Sequence, residues 1–117
     1  MERVVADAYE GTLTAPGTKS ADVILDDGRT IQVKHRSLPA GESRHWPFKD
    51  LDFDLAVVIN VDRDTGQIVW AREVTRAEME NIVTPHKDDK WRLAMGRGRT
   101  AGTDITSRLR VAYAGLC

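Results

Sequence analysis

The chain has 117 residues, 41% hydrophobic and 30% charged, which is ordinary for a folded globular domain and unlike disordered, collagenous or coiled-coil sequences. No apolar run approaches the ~18 residues of a bilayer span, and charges occupy the N-terminal stretch where a signal peptide would be apolar, so a cytoplasmic location is expected. The formal net charge of −1 excludes a surface that is basic all over, yet beyond Pro85 the basic residues Lys87, Lys90, Arg92, Arg97, Arg99, Arg108 and Arg110 outnumber Asp88, Asp89 and Asp104, leaving a basic C-terminal end.

Helical spacing of Val4, Val5, Ala8 and Tyr9 predicts a short first helix, with Gly11 placed for a left-handed cap. A helix that starts at residue 2 has no N-cap, and a single domain over 1–117 excised from a longer protein is the expectation. A strand near Gly11 to Thr14 and a Pro16-Gly17 loop follow. Two apolar-rich runs around Asp26-Asp27-Gly28, in ADVILDDGRTIQVKHR, then predict a β-hairpin. From Leu55 to Val61 almost every residue is apolar, the pattern of a strand covered on both faces. Asp62 to Gly66 should turn, Gln67 to Glu73 should form another strand, and Thr75-Arg76-Ala77-Glu78 is a capping box opening a short helix before Pro85. Lys90 to Met95 reads as a strand, and Gly96-Arg97-Gly98-Arg99 as a flexible basic loop without nucleotide-loop spacing. The last helix should begin near Thr103 or Asp104 and carry Ile105, Leu109, Ala112 and Leu116 on one stripe. The single cysteine, Cys117, permits no intrachain disulfide, and no Cys/His cluster suits structural zinc. The class is α+β, or mixed α/β.

The hairpin concentrates the chemistry. Strand residues alternate faces, so Gln32 and Lys34 share one side of their strand and Ile31 and Val33 the other. A two-residue loop at Asp27-Gly28 would pair Asp22 with Val33, on the wrong face. A three-residue loop, Asp26-Asp27-Gly28, puts Gly28 where positive φ is needed and pairs Asp22 with Gln32; this register is preferred. Asp22 and Gln32 would then offer hard oxygen ligands for a divalent cation, the kind of centre that neutralises a phosphodiester and acidifies the attacking water. Lys34, two residues beyond, suits orienting that water and stabilising charge on the phosphate. Asp26 and Asp27 are explained by turn chemistry.

The spacing Asp22…Gln32-Val33-Lys34 behind an acidic first helix resembles the PD-(D/E)XK, or restriction-endonuclease-like, nuclease superfamily. Gln32 stands where an acid is usual, as in the Gln-X-Lys variant of Mrr-like restriction enzymes. The resemblance covers roughly residues 2 to 62. It implies an αβββαβ core, a central mixed sheet flanked by helices, with Asp22 near the start of the second core strand and Gln32 and Lys34 on the third. Glu2 takes the place of the first-helix acid, ahead of Asp7 and Glu10. The implied activity is Mg²⁺-dependent hydrolysis of DNA phosphodiester bonds, with Mn²⁺ able to substitute, in a restriction or phage-defence system. Asp22, Gln32 and Glu2 would hold the metal, and Lys34 completes the catalytic set. The implied partners are DNA, a second copy in a homodimer, and a further DNA-recognition domain in the parent protein.

Arg36, Arg44, Trp46, Arg97 and Arg99 are the candidate nucleic-acid contacts, since cations beside an aromatic ring suit phosphates and bases. For Trp46 a place over the core explains the residue equally well. His35, on the strand face opposite Lys34, reads as a boundary residue. The competing function is an inactive domain of the same fold that binds DNA or a protein partner. A weaker reading makes Trp46 and Trp70 part of a protein interface.

Overall fold

A computed structural model describes residues 1–15, 21–39, 41–42, 44–88 and 90–115; the expected Pro16-Gly17 loop and Leu116 lie outside them, as do Asp89 and Cys117. Helix α1 (Glu2–Tyr9) forms where the apolar residues recur at helical spacing and buries Val4, Val5 and Ala6. Its end corrects the expectation for Gly11. Glu10 takes the left-handed cap, at φ 53°, and the Gly11 N–H returns to the Ala6 carbonyl at 2.9 Å. Glycine is required at position 11 by packing instead, because a Cβ there would stand 2.7 Å from Val23 Cγ1.

Strands β1 (Thr12–Leu13), β2 (Val23–Ile24) and β3 (Thr30–Leu38) form an antiparallel meander. The chain leaves through β4 (His45–Phe48) and returns as β5 (Leu55–Asp62), which runs parallel to β3 from Ile31↔Leu55 to Leu38↔Asp62. An αβββαβ core would place a helix in this crossover. Here residues 39–54 carry Pro39, Gly41 and Pro47 and no helical apolar repeat, and β4 becomes the outer strand of a second sheet, where a proline is tolerated.

Strand β6 (Ile68–Thr75) pairs antiparallel with β5. Helix α2 (Arg76–Ile82) starts at the expected capping box: the Glu78 N–H donates to Thr75 Oγ1 at 3.2 Å, and the Thr75 N–H donates to Glu78 Oε1 at 3.0 Å. Then come β7 (Thr84–His86), β8 (Lys90–Ala94), a single-turn α3 (Met95–Gly98), β9 (Thr103–Asp104) and α4 (Thr106–Ala114). The main sheet has the order β1-β2-β3-β5-β6-β9 and the second sheet the order β4-β8-β7. The last helix therefore starts later than expected, since Thr103 and Asp104 pair with β6. Nor is the glycine–arginine run a loop: Met95 and Gly98 are buried in α3, and a Cβ on Gly98 would sit 3.4 Å from both Leu93 and Trp46. Packing against the tryptophan overrides glycine's weak helix propensity.

Two apolar cores lie on the two faces of the main sheet. On one, α1 and α4 cover Ile31, Val33, Val57 and Ile59. On the other, Trp46, Phe48 and Leu93 of the second sheet and Met79 of α2 cover Ala56, Val58 and Val74. β5 is thus covered on both faces, which explains its unbroken apolar run. The architecture is α+β with a central mixed sheet. No helix among the described residues is long and apolar enough to cross a membrane.

The helical side is tied to the sheet by Tyr9, whose hydroxyl donates to Glu73 Oε1 at 2.6 Å. Arg108 stacks 4.0 Å from the Tyr9 ring centroid and donates to the Ala8 carbonyl at 3.0 Å, a cation at a helix C-terminus. Burial, and then the Glu73 carboxylate, push the Tyr9 hydroxyl pKa far up, so it stays a donor. Tyr9→Phe should cost roughly 1–2 kcal/mol, as for a hydrogen bond to a charged acceptor. Urea denaturation checks this, and an unchanged midpoint would show that the bond contributes nothing.

Candidate active site

The hairpin closes in the three-residue-loop register. Gly28 has φ +89°, the Leu25 N–H reaches the Arg29 carbonyl at 2.9 Å, and the ladder pairs Val23 with Ile31 and Ile24 with Thr30. Continued by one residue, this register faces Asp22 with Gln32. Asp22 itself stands just before β2, and its backbone departs from the ladder: the Asp22 N–H donates to the Ile31 carbonyl at 2.8 Å. Its carboxylate turns to the sheet edge and accepts the Val33 N–H at 2.8 Å. An acceptor is needed there because β3 continues past the end of β2. Asp22 therefore has a structural task alongside any chemical one.

Lys34 follows on the side of β3 that faces the second sheet. Its ammonium lies 5.2 Å from the Phe48 ring centroid. Burial pushes the Lys34 pKa below the ordinary lysine value; Asp22 pulls it back up, Lys49 lowers it further and Asp50 raises it. These neighbours bring Asp50 to the group, a carboxylate the sequence alone did not single out. The only hint of it was the acidic run Asp50, Asp52 and Asp54 after β4, and its approach to Lys34 depends on the crossover.

Glu2 is not joined to this group. Its carboxylate lies 3.4 Å from the Met1 amino group and interacts with His35, on the α1 side of the main sheet. Alternation along β3 separates that face from Lys34. Burial raises the Glu2 carboxyl, but its own backbone N–H, the amino group and His35 outweigh this and leave it below its usual value. Burial, and next the amino group, lower the His35 pKa, with Glu2 opposing. In the window just below the ordinary imidazole value of about 6.5, the unfolded chain then binds more protons at this position than the folded one. Stability should fall as pH drops through that window. His35→Gln should flatten the fall in denaturation midpoint between about pH 7 and pH 5, and an unchanged slope would remove His35 from the account.

The candidate nucleic-acid contacts separate. Trp46 is 2% exposed and meets Trp70 edge to face at 5.8 Å, so its ring belongs to the core and has no face for a base; the same burial removes it from any protein interface. Arg36 shares the Lys34 face, and its Nε donates to the His45 carbonyl at 2.9 Å, which holds β4 against β3. Arg44 is exposed and lies 3.7 Å from Glu42. Arg97, also exposed, donates to the Ile82 carbonyl at 3.3 Å, and Arg99 is exposed on the same turn. Arg108 and Arg110 are engaged by backbone carbonyls, Ala8 for the first and Ile68 and Val69 for the second.

Among the described residues no three His, Cys, Asp or Glu side chains gather closely enough to hold a metal by themselves. The candidate donors are nevertheless hard oxygens: the Gln32 amide on the Lys34 face of β3, and the carboxylates of Asp22 and Asp50, both of which act on Lys34 electrostatically. That set fits Mg²⁺, which keeps several waters and needs only one or two carboxylates besides a substrate phosphate. It does not fit zinc, which favours nitrogen and sulfur. Compared with family models and with curated proteins, the chain matches none.

Proposed function

We propose that this protein is a metal-dependent endonuclease that hydrolyses DNA phosphodiester bonds, with the PD-(D/E)XK-like grouping Asp22, Gln32 and Lys34 as its centre. The observation that supports this reading most is the placement of Lys34: a half-buried lysine with lowered pKa, flanked by the carboxylates of Asp22 and Asp50 and two residues beyond Gln32. Titratable groups with shifted pKa cluster at catalytic centres, where they give or take protons, and this environment suits Lys34 to that task.

In this reading Asp22, Gln32 and Asp50 are the oxygens that would hold Mg²⁺ or Mn²⁺, which when bound lowers the pKa of water and neutralises phosphate charge. Asp50 replaces Glu2 as the second carboxylate. The Val33 N–H fixes the Asp22 carboxylate, so one ligand is oriented before any cation arrives. Lys34 orients the attacking water, takes or shares its proton, and faces the phosphate as negative charge grows on it. Burial keeps the ammonium partly out of water and thereby sustains the lowered pKa, while the Phe48 ring holds the side chain in place. Cutting both strands of a duplex would require two such centres, which makes a homodimer on DNA the proposed working form.

The test is cleavage of plasmid and of single-stranded circular DNA with Mg²⁺, with Mn²⁺ and with EDTA, by the wild type and Asp22→Asn. Asparagine keeps an oxygen to accept the Val33 N–H and removes the charge, so the fold should persist while metal-dependent cleavage drops at least ~100-fold. Equal cleavage by both proteins would overturn the assignment. The neutral Gln32 favours a second reading, an inactive domain of the same ancestry that binds DNA. It would be shown by salt-dependent binding with no cleavage under any of these conditions.

A further inference from the structure

Next to Lys34 lies a cleft of about 440 Å³ lined by Lys49, Asp50, Leu51, Arg76, Glu80, Lys90 and Trp91. Its size is within the ~300–1,000 Å³ of small-ligand clefts. Trp91 is the cross-strand partner of Phe48, the ring over which the Lys34 ammonium lies, so Lys34, Phe48 and Trp91 form one row that ends in the cleft. The Trp91 ring is half-buried: it packs against the core on one side and lines the cleft on the other. Lys49 and Asp50 belong to both places, since they line the cleft and act on Lys34.

The charges of the cleft are not equivalent. Arg76 is engaged by Glu80 at 3.3 Å and by Asp52 at 4.0 Å, whereas Lys49 and Lys90 make no ion pair among the described residues. Lys90 also has φ +66°. A left-handed lysine at the close of a hairpin, where glycine or asparagine would be unstrained, is an outlier that calls for a reason. The cleft offers one, because this turn brings Lys90 to its mouth beside Trp91.

We propose that this cleft holds one nucleotide of an unpaired DNA strand, its base stacked on Trp91 and its flanking phosphates held by Lys49 and Lys90. The choice of nucleic acid as occupant rests on the nuclease reading; what is added is strandedness. An aromatic platform with two cations fits the base and backbone of a nucleotide, and a base inside a duplex stack cannot reach a ring set in a cleft. The substrate is therefore a single strand, a frayed end or a duplex with an extruded base, with the neighbouring phosphate directed towards Lys34 from the side of Lys49, which lines the cleft and acts on Lys34.

The experiment is binding of a fluorescein-labelled oligothymidine, and of a blunt duplex of the same length, measured by anisotropy in EDTA. In EDTA binding is read apart from cleavage. The wild type should bind the single strand at least tenfold more tightly than the duplex and show quenching of tryptophan emission. Trp91→Ala should lose about tenfold or more in single-strand affinity, the effect of one stacked base. Because Trp91 also packs on the core, Lys90→Gly is the second variant. It should weaken binding several-fold and lower the salt dependence by about one counterion, with a melting temperature no lower than wild type, since glycine relieves the left-handed strain. Single-strand affinity unchanged in folded Trp91→Ala and in Lys90→Gly would overturn the inference, as would equal or absent binding of the two DNAs. A protein that binds as expected but cuts nothing sinks only the nuclease reading. One that cuts DNA while Trp91 and Lys90 are indifferent to binding sinks only this one.

Discussion

Lys34→Ala should lower metal-dependent DNA cleavage by about 10²–10⁴-fold, the range for removing one proton-transfer or charge-stabilising group, and should change stability by less than about 1 kcal/mol. The small second effect follows from the surroundings. Taking a half-buried ammonium out of water is unfavourable, and the Phe48 ring and two nearby carboxylates offset this only in part, so deleting the side chain removes a cost along with the attractions. Lys34→Arg separates the two chemical roles. Arginine keeps the charge but cannot deprotonate, so a role in charge stabilisation would leave part of the activity, and a role as base would leave almost none. The pH profile gives the same division. If the neutral amine takes the proton, cleavage rises with pH up to a lysine value below the ordinary ~10.4, and the arginine protein lacks that limb. A Lys34→Ala protein that cuts at the wild-type rate would remove the centre from this face of β3.

Residues whose role is set by near neighbours in the chain were legible in the sequence. Gly28 at the left-handed position fixed the hairpin register, Thr75 and Glu78 announced the start of α2, and the apolar run of β5 announced its burial on both faces. What escaped was decided by tertiary contact. Glycines at 96 and 98 read as a loop, yet burial of Met95 and close packing of Gly98 on Trp46 bend the segment into α3. Trp46 carries the same cationic neighbours in sequence whether it faces a base or the core. Only the pairing of β4 with β8, which sets Trp46 opposite Leu93, decides for the core. For the candidate site, alternation along β3 placed Gln32 and Lys34 together, but it could not foresee that Asp22 would leave the ladder to accept the Val33 N–H. Asp50 was out of reach for the same reason, since its electrostatic influence on Lys34 depends on a crossover made of a strand instead of a helix. Glu2 shows the converse: position on the first helix suggested a ligand, and packing of α1 set it beside His35 on the far side of β3.

The largest effect on stability is expected far from that site, at Gly102→Ala. Gly102 has φ +57° and lies where β9 turns onto β6, with the Glu73 carbonyl directly against the position a Cβ would take and the Val74 Cα 3.1 Å from it. Left-handed torsions cost alanine about 1–2 kcal/mol, and the overlap is with backbone, which cannot rotate aside as a side chain can. Relief requires β9 to separate from β6. That would break the pairings Arg72↔Asp104 and Glu73↔Thr103 and withdraw the carbonyls of Ala101 and Gly102 from the Arg72 guanidinium, now at 2.6 and 3.1 Å. A loss of at least ~3 kcal/mol is expected, in the range reserved for strain at a special backbone position. Denaturant unfolding measures it, and a loss below about 1 kcal/mol would mean that β9 is not held to β6 in this way. Because Glu73 also accepts the Tyr9 hydroxyl, the same substitution should reach α1. Gly102→Ala and Tyr9→Phe are therefore expected to be less than additive, with a double-mutant cycle giving a coupling of ~0.5 kcal/mol or more, whereas Tyr9→Phe paired with Lys34→Ala, on the opposite face of the sheet, should add.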